Sequence, residues 1–96
     1  MPLYTVLITP NAVKDLQAAV DYYNEKAEHL GYRFADLVDD YFERISLVPT
    51  ASSIRYKDIR CKSMVTFPYL IMYTIDEPNQ TVNILRIFNT WQEPLW

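Results

Sequence analysis

A chain of 96 residues, half of them hydrophobic, is long enough for one globular core, and residues 1–96 read as a single domain, neither disordered nor divided by a linker. The formal net charge is −3 and the sequence pI is near 4.9, which argues against broad electrostatic binding of nucleic acid. A lone cysteine, Cys61, excludes an internal disulfide and fits a reducing compartment. No apolar run reaches the roughly 20 residues of a membrane span, and Met1-Pro2-Leu3-Tyr4 lacks a signal peptide's basic region, so a soluble cytoplasmic protein is expected.

In chain order, Leu3–Ile8 is a short apolar run that predicts a first strand, with Tyr4, Val6 and Ile8 on one face. Thr9-Pro10 then marks a helix start, because Thr accepts from free amides and Pro suits the first helical position. From Asn11 to Leu30, Ala12, Leu16, Ala19, Val20, Tyr23, Ala27 and Leu30 recur at spacings of three and four, the pattern of an amphipathic helix. Gly31, the only glycine, falls where this helix should end and is expected to be its left-handed C-terminal cap. A second helix carries Phe34, Leu37, Val38, Tyr41, Ile45 and Val48 as its apolar stripe and closes before Pro49. So short a connection predicts an antiparallel helical hairpin.

After the loop Pro49–Ser53, residues Ile54–Thr66 alternate. Ile59, Cys61, Val65 and Phe67 share one parity and are expected to face the core; Arg60, Lys62, Met64 and Thr66 are expected to emerge on the face the helices leave open. Arg55 and Lys57 precede this strand, on a short strand of their own. Two further runs, Tyr69–Ile75 and Val82–Phe88, are rich in Ile, Val, Tyr and Phe and flank Asp76-Glu77-Pro78-Asn79-Gln80. They predict a central β-hairpin, with Asn79 as a residue that tolerates a left-handed turn. The expected class is α+β: an N-terminal strand, an antiparallel helical hairpin, then a three- to four-stranded antiparallel sheet.

Charge is segregated along the chain. The helical region is acidic, with Asp15, Asp21, Glu25, Glu28, Asp36, Asp39, Asp40 and Glu43 against Lys14, Lys26, Arg33 and Arg44. Arg55, Lys57, Arg60 and Lys62 face only Asp58. Charged outer faces are ordinary on helices, whereas Arg60 and Lys62, side by side on one strand face, form a small patch for carboxylates or phosphates. The chain holds no phosphate-cradling glycine loop, no Cys/His metal spacing and no nucleophile elbow, so neither a cofactor nor a metal is expected. His29, in the expected last turn of the first helix, and Cys61, on the expected core parity, read as structural. Acid–base catalysis would rest on Lys62, a Tyr or a carboxylate, with Arg60 and Arg86 steadying charge.

The segment Phe67-Pro68-Tyr69-x-Ile71-x-Tyr73 resembles the RelE/ParE superfamily of type II toxin–antitoxin toxins (plasmid stabilisation proteins). So do Ala12-x-x-Asp15-Leu16, Tyr22-Tyr23, Gly31-x-x-Phe34, Ile59-Arg60, Val82-x-Ile84-Leu85-x-Ile87-Phe88 and Pro94-x-Trp96. The resemblance spans nearly the whole chain and implies a helical hairpin against an antiparallel sheet, and a cognate antitoxin that wraps and neutralises the toxin. It implies one of two activities: RelE-like cleavage of messenger RNA in the ribosome by basic residues and a tyrosine, or ParE-like poisoning of DNA gyrase without that site. Only Arg60 and Lys62 match the nuclease's basic positions. Leu70 stands where RelE-like toxins tend to carry arginine, and Asn89 and Gln92 replace the His and Arg of the family's C-terminal motif. Neither amide exchanges a proton or holds a charge. Trp96, near the family's terminal aromatic, has no hydroxyl.

The expectation is therefore a ParE-like inhibitory binding protein; the alternatives are a ribosome-dependent endoribonuclease using Arg60, Lys62 and Arg86, and a degenerate non-toxic relative. The expected antitoxin-docking residues are Arg60, Lys62, Met64, Met72 and Arg86.

Overall fold

The computed structural model describes residues 3–91. Its elements run β1 (Thr5–Ile8), α1 (Pro10–Lys26), α2 (Leu30–Leu47), a short 3-10 turn (Pro49–Ala51), β2 (Ile54–Tyr56), β3 (Ile59–Ser63), β4 (Tyr69–Asp76) and β5 (Thr81–Asn89). The strands form one sheet in the order β1-β5-β4-β3-β2, with the β4–β5 hairpin at its centre. The four later strands pair antiparallel, as expected. β1 adds to β5 in parallel, Val6 opposite Val82 and Ile8 opposite Ile84, so the sheet is mixed.

Thr9 caps α1: its hydroxyl accepts the Ala12 amide at 3.2 Å and donates to the Leu85 carbonyl at 3.0 Å, tying the helix start to β5. Alternation along β4 and β5 turns Tyr69, Ile71, Tyr73, Val82, Ile84 and Ile87 towards the helices. There they meet Ala12 and Ala19 of α1 and Phe34, Val38, Tyr41, Phe42 and Ile45 of α2. Tyr23, Phe34, Phe67 and Tyr69 stack at centroid separations of 4.8 to 6.2 Å at one end of this core. Leu37 and Leu16 are only partly buried at its margin, and Val48 is exposed.

The helix–helix turn differs from expectation. α1 ends at Lys26, and His29, not Gly31, takes the left-handed backbone, with φ of 66°. Gly31 lies inside α2, where a Cβ would come within 2.2 Å of the Val20 carbonyl and 2.8 Å of the Asn24 side chain. Its amide donates to Asn24 Oδ1 at 2.8 Å. The glycine is there because two backbones meet, not because a turn needs its φ. In the β4–β5 turn the left-handed residue is Gln80, with φ of 48°, while the Asn79 side chain donates to Asp76.

The parity expected for β3 is reversed. Arg60 lies opposite Tyr73 and Lys62 opposite Ile71, and cross-strand partners share a face, so both basic residues stand on the helix side. Met64 follows them into the core, whereas Val65 is 89 % exposed. Cys61, opposite Met72, is on the other face and half-buried, and desolvation pushes its thiol up. The reason is that β3 stops at Ser63: residues 64–68 form a loop, closed by Met64 N–H donating to the Tyr69 carbonyl at 2.9 Å. Alternation counted back from Phe67 therefore crosses a break.

Candidate functional site

The structure does not bring Arg60, Lys62, Met64, Met72 and Arg86 onto one face. It places them in three surroundings. Arg60 and Lys62 lie on β3 beneath the end of α2, and Met64 is buried in the core beside them. Met72 is buried on the opposite face of β4, outside the core cluster under the helices. Arg86 lies on β5, two strands from β3, so roughly 10 Å of sheet separates it from Arg60.

Arg86 is held by α1. Its Nε donates to Asp15 Oδ2 at 2.6 Å and its terminal nitrogen to Oδ1 at 3.0 Å, a two-point pair. Asp15 Oδ2 also accepts the Ile87 amide at 3.0 Å. β1 ends at Ile8 opposite Ile84, so this amide lies on the stretch of β5 beyond β1, where no strand among the described residues supplies a partner. Asp15 thus closes the sheet edge, and its hydrogen bond raises the Arg86 guanidinium further above its ordinary range. The register shift beside Met72 leaves Leu85 without a β4 partner, next to Arg86.

Arg60 donates from a terminal nitrogen to the Ser52 carbonyl at 2.7 Å, pinning the segment after the 3-10 turn. The Tyr73 hydroxyl, buried, donates to the Pro49 carbonyl at 2.6 Å and fixes the other end of that segment. Between α2, this turn and β3 lies a pocket of about 280 Å³. Ile45, Val48 and Tyr73 give it an apolar wall. At Tyr41 two cations approach one ring: Arg44 Cζ stands 5.2 Å from the centroid and Lys62 Nζ 5.8 Å. Sequence reasoning found Lys62 but missed Arg44 and Tyr41, since Arg44 sits among the helix acids and Tyr41 reads as core. The spacing Tyr41-x-x-Arg44 is the one signal that puts them on one helix face.

A second, smaller cavity of about 120 Å³ lies beside Asp15, Tyr69, Arg86 and Asn89. Burial pushes the Tyr69 hydroxyl up, against the lowering influence of contacts with Asn89 and Tyr23. Asn89 Oδ1 accepts the Trp91 amide at 2.8 Å. Gln92 and Trp96, also expected in the C-terminal motif, lie outside the described residues. Arg86, the cation of this cavity, is already paired, which leaves Arg44 and Lys62 as the more available positive charge. No group of acidic, His or Cys side chains suited to a metal occurs among the described residues, and no helix among them is long and apolar enough to cross a membrane.

Residues 6–94 match the sequence family described as the ParE toxin of type II toxin–antitoxin systems, parDE. The backbone is similar to a chain of the chromosomal ParDE toxin–antitoxin system from P. aeruginosa. The TM-score is 0.77 at 16% identity, covering 91% of this chain and 96% of that one. It is also similar to a chain of the RelBE2 toxin–antitoxin complex from Mycobacterium tuberculosis. There the TM-score is 0.66 at 24% identity, covering 92% of this chain and 99% of the other. At such identities the two structures establish the fold alone. A comparison with curated proteins found no significant match.

Proposed function

The chain belongs to the family of ParE toxins of type II toxin–antitoxin systems, and on that footing we propose that it acts as a cytoplasmic toxin that inhibits by binding and is neutralised by a cognate antitoxin. The observation that carries the non-nucleolytic reading is the Asp15–Arg86 pair. An arginine already bound at two points by a carboxylate is electrostatically neutralised and is not offered to a phosphate. Arg60 and Lys62 sit two strands away, with Arg60 donating to a backbone carbonyl. The three basic candidates therefore do not converge on one scissile bond, as general acid–base cleavage of RNA requires.

On the same reading the cellular target is DNA gyrase or the ribosome. The ParDE and RelBE2 structures are both of toxin–antitoxin systems, which supports an antitoxin as the partner. Inducing the chain alone should arrest growth, and co-expressing the small reading frame beside its gene should restore it. Growth unaffected by the chain alone would instead support a degenerate, non-toxic relative.

A further inference from the structure

The pocket at the end of α2 contains something the fold does not need. Arg44 and Lys62 come from elements distant in sequence and converge on the Tyr41 ring, 5.2 and 5.8 Å from its centroid. Both cations also line the same cavity, where a ring contact neutralises neither. Neither forms an ion pair among the described residues, although α2 presents Asp39, Asp40 and Glu43 on its exposed surface. An anion entering the cavity would meet two cations that line it and gain charge-assisted contacts.

The walls indicate what carries that anion. Ile45, Val48 and Tyr73 line the cavity, and Val48 is 55 % exposed, an apolar rim at its mouth. A strongly hydrated phosphate gains little from such walls, and a polyanion would run along the acidic surface of α2. A single carboxylate beside an apolar side chain matches both the cations and the walls. The Tyr41 hydroxyl accepts the Val65 amide at 3.0 Å and is thereby fixed, so the ring that both cations overlie is preorganised.

We propose that this pocket is an anchor site for a protein segment presenting a carboxylate next to an apolar residue, and that the segment belongs to the antitoxin. The identity of the occupant rests on the toxin reading above; the carboxylate chemistry does not. The site moves docking from the open sheet face to the cleft between α2 and β3, and replaces Arg86 with Arg44 as the partner of Lys62. The apolar residue supplies most of the affinity, and the paired charges fix its register.

Two arms test it on the isotopically labelled full chain. In the first, 3-phenylpropionate is titrated by NMR beside its uncharged amide, inorganic phosphate and a short oligouridylate. Saturable shifts are expected at Arg44, Ile45 and Lys62, with binding about tenfold weaker for the amide. A similar loss is expected for 3-phenylpropionate on a double R44Q/K62Q variant whose circular dichroism and melting are unchanged. Equal binding of the amide, an unaffected double variant, no saturable shift, or tighter binding of phosphate or oligouridylate at these residues would each overturn the site. In the second arm, the protein encoded beside the gene is titrated against both forms. Loss of about tenfold or more in the double variant supports the anchor. Equal binding to both forms removes the anchor and leaves the toxin reading standing. No binding even to the unaltered chain removes the antitoxin as occupant, while the first arm still decides the carboxylate chemistry.

Discussion

Asp15 of α1 and Arg86 of β5 are 71 positions apart in sequence and joined at 2.6 Å, and the same carboxylate accepts the Ile87 backbone amide. One side chain therefore neutralises a guanidinium, fastens the first helix to the sheet and closes the strand edge beyond the end of β1.

Asp15→Ala removes all three contacts and leaves both a cation and an edge amide unpaired. Asp15 and Arg86 keep some solvent contact, so the loss is smaller than for a fully buried pair: about 2 kcal/mol by urea unfolding. A change below about half a kcal/mol, the surface range, would mean that the clamp contributes no stability.

Gly31→Ala should be costly although Ala is the better helix former. The added Cβ would meet the Val20 carbonyl, a backbone atom that moves only if the helices part. A loss of about 1–3 kcal/mol is expected, as for overpacking. A stabilised variant would show that the hairpin opens freely at this point.

The core gradient across α2 is also measurable. Phe34 is fully buried within the aromatic cluster, and its replacement by Ala should cost about 3–5 kcal/mol. Leu37→Ala should cost clearly less, since Leu37 only borders the core. Equal losses at the two positions would contradict the phase of α2 described here.

How far the sequence discloses this molecule follows from those particulars. The helices were legible because their apolar residues recur at a period no strand shares, and Thr9-Pro10 announced the start of α1 by its chemistry. The β4–β5 hairpin was legible from two β-rich runs around a turn. The face of β3 was not, because a five-residue strand followed by a loop offers too few alternations to fix parity. Parallel pairing of β1 was equally hidden, since no local pattern records which distant strand an edge will join. Arg86 looked like a free cation because its partner, Asp15, lies in another element. The long stems of Arg60 and Lys62 also let charged residues stand on the helix side of the sheet, where period-two reasoning expects apolar ones.

Tyr23 gives a dependence on pH. Burial, then the neighbouring Tyr69 and Tyr22, push its hydroxyl from an ordinary 10.0 up to about 12. The folded chain keeps a proton that the unfolded chain releases near pH 10, so this contribution is intact below about pH 10 and is lost as pH rises towards 12. The urea midpoint should fall over that window, and Tyr23→Phe should flatten the fall, leaving the parts due to Tyr4, Cys61 and Tyr69, which are also raised. An identical slope in the variant would assign the alkaline loss to other groups.

Inhibition by binding and inhibition by cutting RNA give opposite results on actively translating ribosomes. Purified chain is added and the 5′ ends of a reporter messenger are mapped by primer extension. The messenger should stay intact, because Arg86 is held by Asp15 and lies two strands from Arg60 and Lys62. Strong cleavage within the reading frame that disappears on Arg60→Ala would contradict this and make the chain an endoribonuclease.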